Sequence, residues 1–205
     1  MGAATFISNQ VRSGNFAARD LKEAGFSVAE VRGFGFSIEQ MKKGGYKASE
    51  FKASGVGASE LKSGGYKARR LRQAGFSTKD LYRARYSAIE VLEAGCTPEQ
   101  CKHGGYTAGD LAAGGCLVSY LKPSFALAEL KSAGFTAREL QQAGFSLKAL
   151  REVGFAWFEL MIWCGTSLAE LRSLGYDSPQ EICWCFEVQH GDRTSRMFVC
   201  CFFLI

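Results

Sequence analysis

The chain has 205 residues, a net charge of +5 and an apolar fraction of 47%. That apolar share excludes wholesale disorder, and the mild positive charge admits acidic partners without requiring nucleic acid. Glycine is in excess, with 24 residues, roughly 12% against a usual share of about 7%, and it lacks the collagen period.

The opening MGAATFISNQVR lacks the basic start and apolar core of a secretory leader. Phe6 stands where a myristoylation motif would carry Ser or Thr. The longest apolar run, ending MFVCCFFLI, reaches about half the length needed to span a bilayer. A cytoplasmic chain is expected, its eight cysteines thiols rather than a disulfide framework.

From Phe6 onward the text repeats every ten residues. Glycine recurs at 25, 35, 45, 55, 65, 75, 95, 105 and 115, then at 134, 144, 154 and 175. An aromatic usually follows it, as at Phe26, Tyr46, Phe76 and Phe145, and five residues later comes an apolar residue such as Val31, Phe51, Leu81 or Leu150. The register loses a residue between Cys116 and Phe125 and regains one near Gly165.

Each unit predicts one short helix. In the unit from Phe135 to Phe145, Thr136 is the N-cap and Glu139 completes a capping box, satisfying two backbone N–H groups. Phe135 and Leu140 form the hydrophobic staple, and Gly144 takes the left-handed position of a Schellman stop. Ser27/Glu30, Ser37/Gln40, Ser87/Glu90, Thr97/Gln100 and Ser167/Glu170 repeat the box, with Ser77/Asp80 and Thr107/Asp110 as weaker versions. A helix of about seven residues, about 10 Å long, does not persist alone in water. The expected fold is therefore all-α: a solenoid of short helices over residues 1–176, with Gly-Phe as the joint between them.

A right-handed pentapeptide-type β-helix is the rival. It requires small residues at positions occupied by Arg19, Glu39, Arg69, Lys79, Glu99, Arg138 and Lys148, and burying those charges unpaired is prohibitive. The consensus LKxAGFSAxE, clearest at 21–30 and 130–149, resembles the tandem decapeptide-repeat proteins of protists, algae and large viruses. The resemblance implies a repeat scaffold and carries no catalytic residue or activity. Arg85 and Ser124 in place of Gly, and Pro123 within a helix, mark a locally bent array.

The sharpest break is FAWFELMIWC, 155–164, where an apolar helix makes Trp157, Phe158, Met161, Ile162 and Trp163 a candidate partner patch. Either the tail, 177–205, folds back over it as a cap, or it docks a partner or a second copy of the chain. In the tail, Cys183, Cys185, His190, Cys200 and Cys201 have the ligand types for zinc, but the spacing C-x-C-x4-H-x9-C-C lacks paired CxxC knuckles. No metal or other cofactor is expected. Cys96 and Cys101 occupy core positions of one unit.

No Walker loop, GxGxxG or HExxH is present, and the acidic residues fall one per unit, the capping arrangement rather than a catalytic pair. The chain is expected to be a non-catalytic scaffold for protein–protein interaction. The alternative is a basic ladder, Lys22, Arg32, Lys42, Lys52, Lys62 and Arg72, that binds a polyanion: nucleic acid, an acidic protein or a lipid headgroup surface. Compensation of the helix dipole is the ladder's simpler explanation.

Overall fold

The computed structural model describes residues 16–176 with Val11 and Gly14, and the backbone of two strands at 185–190 and 193–198. Sixteen helices stand among the described residues. They are α1 Ala18–Glu23, α2 Val28–Gly33, α3 Ile38–Lys43, α4 Ala48–Ala53, α5 Ala58–Ser63, α6 Ala68–Gln73, α7 Thr78–Arg83 and α8 Ala88–Glu93. There follow α9 Pro98–Gly104, α10 Ala108–Ala113, α11 Val118–Leu121, α12 Leu127–Ser132, α13 Ala137–Gln142, α14 Leu147–Glu152, α15 Trp157–Cys164 and α16 Leu168–Ser173. The array is an all-α solenoid, and no strand occurs within 16–176, which removes the β-helix alternative. Beyond it, Cys185–His190 (β1) and Arg193–Phe198 (β2) pair antiparallel.

The ends of each helix form as the spacing requires. Thr136 Oγ1 accepts from the Glu139 N–H, and the Glu139 carboxylate accepts from the Thr136 N–H at 2.8 Å. Gly144 N–H donates to Gln141 O and Phe145 N–H to Leu140 O, the two bonds of a Schellman motif. Gly144 has φ 83°, a region that costs an L side chain roughly 1–2 kcal/mol. Ser77/Asp80 and Thr107/Asp110, the shorter acids, close the same box. The carboxyls of Glu30 and Glu139 are held below the usual range by hydrogen bonds from their cap residues.

One side chain per unit lies at the centre. Val31, Met41, Phe51, Leu61, Leu71, Leu81, Val91, Cys101 and Leu111 are each 0% exposed. Burying a Leu-sized side chain contributes about 1.5–3 kcal/mol, so these residues supply most of what a six-residue helix cannot supply itself.

The chain divides into two compact units between Phe125 and Ala126, inside the segment expected to be one array. In the first unit helices pack on the helix two ahead: α1 on α3, α3 on α5, α5 on α7, α7 on α9, and likewise α4 on α6, α6 on α8, α8 on α10. Two decapeptides therefore make one turn, and odd and even helices form separate stacks. The lost residue shortens α11 to four residues, so Pro123 lies past its helix rather than inside one. The regained residue lengthens α15 to eight.

Candidate interaction grooves

The basic ladder is spent inside the protein. Lys22, Lys42, Lys52 and Lys62 donate to the carbonyl oxygens of Gly45, Gly65, Gly75 and Arg85. Each acceptor is the left-handed residue that ends the helix two units ahead. A helix C-terminus leaves carbonyls unpaired and carries a partial negative charge, so a cation from the preceding turn caps it. The same ammonium groups sit over aromatic rings: Lys22 over Tyr46 at 4.9 Å, Lys42 over Tyr66 at 5.5 Å, Lys52 over Phe76 at 5.1 Å and Lys62 over Tyr86 at 4.7 Å. In the second unit Lys131 repeats the arrangement with Val153 O at 2.9 Å and the Phe155 ring at 4.7 Å.

The two arginines of the ladder behave differently because the ring is missing. Residue 56, opposite Arg32, is Val, and Arg32 pairs with Glu60 at 2.8 Å. Residue 96, opposite Arg72, is Cys, and one guanidinium nitrogen of Arg72 is buried without a hydrogen-bond partner. Dipole compensation is thus real, but each of the four lysines serves the next turn's helix rather than its own.

Tyrosines form a second ladder that the ten-residue reading missed. The hydroxyl of Tyr46 donates to Phe26 O at 2.8 Å, Tyr66 to Tyr46 O at 2.5 Å, Tyr86 to Tyr66 O at 2.5 Å and Tyr106 to Tyr86 O at 2.7 Å. Burial pushes the phenols of Tyr66 and Tyr86 up to about 12. Its sequence signal is a twenty-residue superperiod, GGY at 44–46, 64–66 and 104–106, with Ala-Arg-Tyr at 84–86.

Beside this ladder lie two grooves forty residues apart. The first, about 540 Å³ between α4 and α6, is lined by Tyr46 and Tyr66 with Lys47, Ser49, Lys67, Arg70 and Gln73 at its rim. The second, about 620 Å³ between α8 and α10, has Tyr86 and Tyr106 at the equivalent places, with Tyr82, Arg83, Arg85, Ser87, Ile89 and Asp110 around them. The tyrosine floor is constant and the rim varies. Lys47 and Lys67 occupy N-cap positions and make no capping bond, whereas Ser87 and Thr107 do. Losing such a bond costs about 0.5–2 kcal/mol. Helix α6 has no acidic residue in its first turn, and Arg69 and Arg70 there oppose its dipole.

In the second unit Trp157 is buried, Phe158 and Met161 are half-buried, and Ile162 and Trp163 are exposed, so only two of the five residues named for the apolar patch face outward. The tail side chains, including Cys183, Cys185, His190, Cys200 and Cys201, lie outside the described residues. Among the described residues no group of His, Cys, Asp and Glu is arranged to hold a metal ion. Cys96, Cys101, Cys116 and Cys164 are free thiols, and desolvation raises Cys101 to about 12, which makes it unreactive. His103 Nδ1 lies 2.8 Å from Glu99 O within its own helix. No helix among the described residues is long and apolar enough to cross a membrane.

Short capped helices joined by glycine–aromatic turns, two to a solenoid turn, define a tandem helical-repeat protein. The chain belongs to the decapeptide-repeat family: the model for a decapeptide repeat region matches residues 2–58, 15–88 and 55–124. No curated protein and no solved structure matches it.

Proposed function

We propose that the chain is a non-catalytic, cytoplasmic scaffold that binds another protein through the grooves beside its tyrosine ladder. The observation that carries this reading is the pair of grooves at equivalent places forty residues apart, with a fixed floor and a rim of different chemistry in each. A repeat array offers such surfaces once per turn, and substitutions at the rim change recognition without disturbing the stack. The carboxylates favour a non-catalytic role, since Glu30, Asp80, Glu90, Asp110, Glu139 and Glu170 are occupied in capping boxes. Four free thiols fit a reducing compartment. Polyanion binding along the original ladder is disfavoured, because four of its six cations are committed to backbone carbonyls.

The test is site-specific photo-crosslinking in the cells that express the chain. A photoreactive residue at Ser49 or Ile89 should give discrete protein adducts, whereas one at Ser63 or Glu93, exposed and outside both grooves, should not. Equal labelling at all four positions would refute the reading.

A further inference from the structure

We propose that the groove between α4 and α6 takes a short acidic peptide segment of a partner protein, its carboxylates held by Lys47, Lys67 and Arg70. The inference rests on the grooves being the binding surface and names the chemistry that one of them recognises.

The second groove is the internal control. At equivalent positions it carries Ser87 for Lys47 and Asp110 for Arg70; Thr107, the counterpart of Lys67, stands outside its lining. Its own cations, Arg83 and Arg85, lie elsewhere on a wall that also carries the Asp110 carboxylate, whereas the first groove has four cations and no acid in its lining. Ser87, Thr107 and Asp110 build capping boxes. The first groove gives up the side-chain cap at both helices and places Arg70 where the box needs an acceptor. The structural return is small: against desolvation, Lys47 helps hold the Glu50 carboxyl of its own helix below the usual range, and none of Lys47, Lys67 and Arg70 is in an ion pair among the described residues. Arg70 reaches only Gln73 Oε1, at 3.4 Å. Where local stability is set aside for so small a return, the residues answer to something outside the fold. Three cations on one rim, one of them a guanidinium fork, match carboxylates.

Two features select a peptide over nucleic acid. The rings of Tyr46 and Tyr66 are buried and their hydroxyls are tied to the backbone, so the groove presents no exposed face on which bases stack. The cationic run is also short. Glu30, Glu60, Asp80 and Glu90 stand on the flanking units and interrupt any longer track.

The experiment measures fluorescence anisotropy of a labelled decapeptide of Asp, Glu and Gly with the full chain, at 50 and 300 mM salt. Saturable binding is expected, weakening with salt as charge-assisted contacts are screened. The triple variant Lys47→Ser, Lys67→Thr, Arg70→Asp installs the residues of the equivalent positions, so its caps are restored and it should melt no lower than the parent. It should bind about ten-fold or more weakly, having lost three charge-assisted contacts. A control triple, Lys79→Ser, Lys148→Thr, Arg138→Asp, makes the same change in net charge at residues outside the groove's lining and should bind like the parent. Absence of saturable binding, or equal loss in both triples, overturns the proposal. So does tighter binding of a 20-nucleotide oligothymidylate that the groove triple abolishes, which would assign the groove to nucleic acid. Crosslinks at Ile89 that persist after such a failure would leave the scaffold reading standing.

Discussion

Lys131→Met tests whether a ladder cation is a structural cap. The substitution keeps most of the aliphatic stem and removes the ammonium that donates to Val153 O at 2.9 Å and lies 4.7 Å from the Phe155 ring centre. A hydrogen bond from a charged group contributes about 1.5–3 kcal/mol when buried, and partial exposure here brings that to about 1 kcal/mol. The cation–π contact adds about 0.5–1 kcal/mol. The expected loss is therefore about 1–2 kcal/mol, or a fall in Tm of about 3–6 °C for a chain of this size. The comparison is Lys148→Met, at an exposed lysine with no ion pair among the described residues, expected to stay within about 0.5 kcal/mol. Thermal melts by circular dichroism rank the two, and hydrogen exchange at Gly154 and Phe155 localises the effect. If both variants melt like the parent, or both fall equally, the cation is not a cap and the account of the ladder fails.

The tyrosine ladder predicts an alkaline transition. A phenol whose folded-state pKa is raised contributes its full stability below the unfolded value of about 10 and loses it as pH rises to about 12, the value of Tyr66 and Tyr86. The parent should lose Tm more steeply between pH 10 and 12 than the triple Tyr66→Phe, Tyr86→Phe, Tyr106→Phe; parallel curves would contradict this. Gly44→Ala and Gly33→Ala make the same chemical change with opposite expected signs. A Cβ at 44 would meet Ala18 C and Arg19 N at 2.7 Å, backbone that cannot yield, whereas one at 33 meets nothing within 4 Å. The first should destabilise by about 1–3 kcal/mol and the second stabilise by about 0.4–1 kcal/mol, read by denaturant titration. Arg85, at φ 63°, is the one described non-glycine residue in the left-handed region. Arg85→Gly should raise stability by about 0.5–1 kcal/mol, as relief of roughly 1–2 kcal/mol of strain outweighs the added chain entropy. A lower Tm would show that the Arg85 side chain makes a net contribution.

What was legible in the amino-acid text was whatever acts within one unit. Thr136 with Glu139, and Gly144 with Phe145, interact over three or four residues, so caps and stops could be read in register. What was hidden acts across a turn. The partners of Lys42 are Gly65 and Tyr66, twenty-three and twenty-four residues away, and a ten-residue alignment shows only that every unit has a cation and an aromatic. The identity of the missing ring was nevertheless on the page. Arg32 and Arg72 stand opposite Val56 and Cys96, and Tyr82 takes the lysine's place against Tyr106 in an edge-on contact at 5.0 Å. The grooves were unreadable for the same reason, since each is made by two units that are not consecutive. Lys47 and Lys67 could have been noticed as cap positions without a cap.

The chain repeats every ten residues, yet its contacts count in twenties. Inserting ten residues between a tyrosine and the carbonyl twenty residues before it would put the two on opposite stacks and part that hydroxyl from its acceptor, while pairs wholly downstream keep their spacing. Placed between Ala18 and Gly44, the insertion would also set Gly44, which lies against the Ala18 backbone, beneath a turn not built for it. Inserting twenty leaves every donor facing its acceptor. Growth of such a gene by duplication is therefore tolerated in pairs of units, whereas a lone extra decapeptide exchanges the two stacks where it enters.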